Sequence, residues 1–141
     1  MTRELLMPPA PVEMLGQALV ELDLPNPMVV ALPEGMLSAC RIARALGAPF
    51  DVLVGPGAHV APALTPELVE DYRALRLRGR AVVLIDDGAA EPASWAAALN
   101  ALRAMRPDVL VAAAPRLQPA VAHWLAAQIR HMAGPLRALA A

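Results

Sequence analysis

The sequence predicts a three-layer α/β sandwich around a mostly parallel sheet, and three observations predict it. Short strand-like runs recur at residues 28–32 (MVVAL), 50–54 (FDVLV), 81–85 (AVVLI) and 108–114 (DVLVAAA). Segments with a helical period of apolar residues lie between them. Glycine and proline mark nearly every joint. Strands alternating with helices at this spacing make a parallel sheet with right-handed crossovers. The expected order of these four strands in space is second, first, third, fourth, a Rossmann-like arrangement that reverses direction between the first and third.

The elements follow in order. Residues 1–10 end in Pro8 and Pro9, with Pro11 just beyond, and are expected to form an irregular arm. From Val12 a helix is expected, with Leu15, Ala18, Leu19 and Leu22 on one face and Glu13, Gln17 and Glu21 on the other. Pro25 and Pro27 stop it. The run at 28–32 is apolar throughout, as in a strand covered on both faces. Pro33, Glu34 and Gly35 form a tight loop before a helix at 36–46, whose Ala39, Ile42, Ala43 and Leu46 point inward. Gly47 supplies a left-handed cap and Pro49 forbids continuation. After the second strand comes an irregular loop with two glycines. Thr65, Pro66 and Glu67 then combine a hydroxyl cap, a first-turn proline and a first-turn acid, a strong helix start. That helix is expected to end near Leu77. Beyond the third strand, a helix from Pro92 or Ala93 to Met105 carries Trp95, Ala98, Leu99, Leu102 and Met105 on one stripe. A last helix is expected over 118–131, with Val121, Trp124 and Leu125 on one side.

Composition sets the outer limits. At 141 residues, one domain with a full core is expected. With 57% hydrophobic and 3% aromatic residues, that core is aliphatic. A net charge of −1 offers no footprint for nucleic acid or an anionic membrane. All 12 basic residues are arginine, so no lysine is available as a Schiff-base or phosphate-gripping group. Cys40 is the single cysteine and reads as a small buried hydrophobe on a helix; the compartment is expected to be reducing. The N-terminus has an early acid and three prolines in place of a signal-peptide core. No apolar run approaches the ~20 residues that span a bilayer. A cytoplasmic protein is expected.

The chain is organised around residues 80–105, RAVVLIDDGAAEPASWAAALNALRAM. A β-branched strand stops at Asp86 and Asp87, Gly88 turns the chain, and an alanine-rich helix follows Pro92. A strand, an acidic glycine loop and a helix N-terminus form a potential ligand site. In open α/β sheets ligands bind outside the carboxyl ends of the strands, where the strand order reverses. The loops bordering that crevice are 33–36 and 86–93.

At both loops the sequence resembles the type I phosphoribosyltransferases. Their signature, commonly VVLVDDGIATGAT, corresponds here to VVLIDDGAAEPAS, and VVALPEGMLSACRIARALGAPFDVLV is similar to the bacterial pattern VVALPRGGVPVAAEVARALGAPLDVLV of that family. The match covers residues 29–54 and 80–115. The resemblance implies a phosphoribosyltransferase-like fold and a site for phosphoribosyl pyrophosphate with Mg²⁺. It assigns Asp86 and Asp87 to the ribose hydroxyls. Gly88, Ala89, Ala90, Glu91 and Ser94 fall on the 5′-phosphate loop, and Pro33, Glu34 and Gly35 on the pyrophosphate loop. An active member would displace magnesium-bound pyrophosphate from the ribose C1 by positioning and charge stabilisation, without a covalent nucleophile.

The chain departs from the pattern where the phosphates bind. Glu91 and Pro92 replace threonine and glycine, and Glu34 stands where the family often has arginine. Proline removes a backbone donor. Two like charges about 4 Å apart repel by roughly 1 kcal/mol in water and about 4 kcal/mol in a partly buried site. Two readings of Glu91 stay open: an acid in a phosphate pocket, or a first-turn acid stabilising its helix by roughly 0.3–1 kcal/mol. Asp86 and Asp87 are ribose ligands or solvated turn residues. Two functions follow: a phosphoribosyltransferase-like protein that binds a nucleotide or sugar phosphate, or a non-catalytic binding and assembly module, expected as a homodimer. The short segment 55–79 leaves little room for the family's long active-site loop.

Other residues rank lower. Arg116, past the fourth strand, reads as solvated or as a partner for Asp87 or Glu91. His59 is a lone loop histidine. His123 and His131 lie too far apart on one expected helix for a simple metal pair, and no other residues have metal-ligand spacing. Ser94 has no histidine or glycine-elbow context that would make it a nucleophile.

Overall fold

A computed structural model describes residues 2–53 and 77–129. The loop bearing His59, the expected helix from Thr65, His131 and the C-terminal segment lie outside the described residues. The described elements are β1 (Arg3–Leu6), α1 (Val12–Glu21), β2 (Met28–Ala31), a 3₁₀ turn (Pro33–Gly35), α2 (Met36–Leu46), β3 (Phe50–Val52), β4 (Ala81–Ile85), α3 (Pro92–Ala104), β5 (Val109–Ala113) and α4 (Pro119–Gln128).

The five strands form one all-parallel sheet in the order β1-β5-β4-β2-β3. The four strands expected from the sequence keep their expected relative order, β3-β2-β4-β5, and the sheet differs from the expected one by a fifth strand outside β5. Residues 3–6, expected in an irregular arm, instead add a strand beside β5, with Arg3 opposite Val109 and Leu6 opposite Ala112. Proline-free for these four residues, the segment keeps its amide donors, and Met7 N–H continues the ladder to the Ala112 carbonyl at 2.9 Å. Thr2 Oγ1 donates to the Pro107 carbonyl at 2.6 Å. Arg103 on α3 then grips both oxygens of Glu4 at 2.7 Å, which satisfies an acid placed in a half-buried edge strand.

The strand period of two divides the core between the sheet faces. Met28, Val30, Val82, Leu84, Leu110 and Ala112 pack under α3 and α4 with Trp95, Leu99, Leu102 and Leu125. Val29, Ala31, Val83, Ile85, Val111 and Ala113 pack under α1 and α2 with Leu15, Leu19, Ala39 and Ile42. Helices on both faces make three layers, and every residue of β4 is 0% exposed. β3 is an edge strand, and Phe50 there is 41% exposed.

Local chemistry sets the helix ends. α2 stops at Gly47, whose φ of 63° is open to glycine at little cost. Ala48 N–H reaches the Ala43 carbonyl and Gly47 N–H that of Arg44, the two bonds of a Schellman cap. α3 starts with Pro92 at its first position, where a missing N–H removes nothing the helix uses. α4 ends at Gln128, and Ile129 is already extended. Cys40, expected to be enclosed, is only partly covered on α2. No helix among the described residues is long and apolar enough to cross a membrane.

Candidate functional site at the β2–β4 switch point

Strand order reverses between β2 and β4, so the loops leaving their carboxyl ends face each other across a crevice. The sheet keeps them close. Leu32 N–H donates to the Ile85 carbonyl at 2.9 Å, and Asp86 N–H to the Ala113 carbonyl at 3.2 Å. Between the loops lies a cleft of about 210 Å³. Pro33 and Glu34 line it from one side, and Asp86, Ala89, Ala90, Glu91 and Ser94 from the other. Leu32, which in the sequence reads only as the end of the strand, adds an apolar wall. Among the remaining expected site residues, Asp87, Gly88 and Gly35 act on the loop backbone and not on the cleft.

Asp86 is 0% exposed and the sole polar or charged residue in the described core. Its Oδ2 accepts from Gly88 N–H at 2.8 Å and from Ala90 N–H at 2.9 Å. Asp87 Oδ1 accepts from Ala89 N–H at 2.9 Å. The two aspartates thus fold the acidic loop onto themselves, as Asx turns do. Three successive amides, those best placed to cradle an anion, are committed to carboxylates. Asp86 Oδ1 is buried with no hydrogen-bond partner among the described residues.

Two glycines fix the loop backbone. Gly88 has φ of 121°, and a Cβ there would meet the Arg116 carbonyl oxygen at 2.2 Å. Arg116 therefore supports the loop through its backbone. The described ion pairs are Arg41 with Glu13 and Arg103 with Glu4, so the pairing considered for Arg116 with Asp87 or Glu91 is not formed among them. Gly35, at an ordinary φ of −93°, is required by proximity: a Cβ there would lie 2.6 Å from the Asp86 Cα.

Glu91 is the residue preceding α3 and caps nothing with its side chain. Its carbonyl accepts from Ser94 and Trp95 N–H, while its exposed carboxylate borders the cleft. Ser94 lines the same cleft. Glu34 and Glu91 add two carboxylates at the mouth to the buried Asp86 beneath, so the field there opposes an anion. Pro92 supplies no amide. Three carboxylates and a proline where an amide would stand give a phosphate group little to hold it. No group of three or more histidine, cysteine, aspartate or glutamate residues able to hold a metal ion occurs among the described residues. His123 is exposed on α4, and Trp95 is buried in the core with no partner for its indole N–H among the described residues.

Compared with known proteins, the chain is matched by no family model and by no curated protein.

Proposed function

We propose that the chain is a phosphoribosyltransferase-like domain that has lost tight ribose-phosphate binding and acts as a non-catalytic binding and assembly module. One observation carries this reading: the amides of Gly88, Ala89 and Ala90 all donate to Asp86 or Asp87. To cradle a phosphate, the loop must first give up these bonds, leaving the buried Asp86 carboxylate without its donors at a penalty of about 1–3 kcal/mol per group. A phosphate dianion arriving there also meets Glu91 and Glu34, each repelling it by roughly 1–4 kcal/mol depending on burial. Together these terms weaken binding by several orders of magnitude.

Calorimetry with phosphoribosyl pyrophosphate and Mg²⁺ tests the proposal. The wild-type chain is expected to give no heat at millimolar ligand, and Glu91→Thr/Pro92→Gly to regain binding. Saturable micromolar binding by the wild type overturns it.

The unpartnered Oδ1 of Asp86, buried beside the cleft, favours one second reading. A neutral ligand hydroxyl can donate to it without meeting the charge barrier. In that case the domain keeps a weak sugar site that binds ribose, and ribose 5-phosphate binds it no better, because its phosphate meets Glu34 and Glu91.

A further inference from the structure

A groove of about 640 Å³, larger than the switch-point cleft, lies away from it between α1 and α2. Its floor is apolar, from Val12, Gly16, Val20 and Ala45. Gly16 allows the helices to close up, since a Cβ there would already touch the Ala45 Cβ at 3.4 Å. Val20 is 50% exposed, and Leu37, one turn before Arg41 on the same stripe of α2, is 81% exposed. The two rims carry opposite charge: Glu13 and Glu21 on α1, Arg41 and Arg44 on α2. Glu13 and Arg41 meet at 3.5 Å with side chains 77% and 70% exposed, a pair too open to hold strongly.

We propose that this groove is the interface of a two-fold homodimer, with a second copy of the chain as its occupant. The charge layout selects that occupant. A polyanion on the groove meets the α1 acids, and a polycation meets the α2 arginines. A partner that fits both rims must carry an acidic helix beside a basic one, with apolar residues between them. This chain presents such a surface. A two-fold axis along the groove lays α1 of each copy over α2 of the other. Glu13 and Glu21 then face the partner's Arg41 and Arg44, twice over, and Val20 and Leu37 leave water. Such an isologous contact is self-complementary and closed. It is independent of the switch-point cleft and holds whether or not a sugar binds there.

Sedimentation velocity tests it, using the full chain at about 100 µM, where even a weak dimer forms. The wild type is expected to be a dimer. Glu13→Arg/Glu21→Arg makes both helices basic, and Arg41→Glu/Arg44→Glu makes both acidic. Each variant is expected to raise the dimer Kd at least about tenfold through like-charge contact. Mixing the two variants is expected to restore a dimer containing one copy of each. A monomeric wild type, homodimers that persist in both variants, or a mixture that stays monomeric each overturn the proposal. The first result needs no variant at all, and the substituted positions are exposed, where charge reversal leaves folding intact.

Discussion

Gly35 and Asp86 meet backbone to backbone across the switch point: a Cβ on Gly35 would fall 2.6 Å from the Asp86 Cα and 2.6 Å from the Ile85 carbonyl oxygen. The turn after β2 is therefore seated directly on the end of β4, and this contact sets the width of the cleft. Neither strand end can move alone, because Leu32 N–H is bonded to that same Ile85 carbonyl.

Gly35→Ala is therefore expected to destabilise the fold although its φ suits any residue. Backbone on both sides must shift, as in an overpacked core, at about 1–3 kcal/mol. Urea unfolding measures the loss, and the amide resonances of residues 85 and 86 should move with it. A midpoint equal to wild type contradicts the close approach.

Gly88→Ala is expected to be worse. It combines backbone strain at φ 121° with a Cβ placed 2.2 Å from the Arg116 carbonyl oxygen. Strain alone contributes about 1–3 kcal/mol, and displacement of the Arg116 loop adds to it. In the same urea assay Gly88→Ala should therefore unfold below Gly35→Ala. The reverse order means that the 86–91 loop can detach from Arg116.

Asp86 serves the loop as a double acceptor, and its variants separate that role from ligand binding. Asp86→Ala leaves the Gly88 and Ala90 amides without acceptors and is expected to lose about 2–4 kcal/mol. Asp86→Asn keeps a side-chain oxygen in place and is expected to lose less than half as much. Thermal unfolding of the pair checks this. Equal losses would show that the negative charge, rather than its hydrogen bonds, holds the loop.

Much of the frame was legible because it depends on local chemistry. The uninterrupted apolar runs of β2 and β4 announce strands covered on both faces, and Gly47 before Pro49 stops α2 by its own conformational needs. β1 was not legible. RELL is short, carries two charged residues, and stands beside three prolines; it is a strand because β5, far along the chain, supplies its ladder and Arg103 its counter-ion. In the site, Asp86–Asp87–Gly88 announced a turn with acids. Which donors those acids take is set by the folded loop, so the capture of three amides could not be read from spacing. Gly35 likewise looks like a loop residue until β4 is known to lie beneath it.

The Glu4–Arg103 contact yields the last prediction. Arg103 Nε and one terminal nitrogen each lie 2.7 Å from Glu4, and the side chains are 28% and 18% exposed. A third bond runs to the Gln128 carbonyl at 3.3 Å, so one guanidinium ties β1, α3 and the end of α4 together. The Arg103 pKa is raised, first by its hydrogen bond to Glu4 and then by Glu4's charge, with burial acting against both. A cation whose folded pKa is raised stabilises the fold fully below its unfolded pKa, and loses that contribution only as pH climbs through the folded value. For arginine both values lie in strong alkali. Arg103→Met keeps the apolar stem, removes the fork, and is expected to lose about 1–2 kcal/mol. From the arginine side, that difference from wild type should stay constant between about pH 6 and pH 10. Urea midpoints taken across this range test it, and a difference that shrinks toward pH 10 would show that a group other than the guanidinium holds β1 in place.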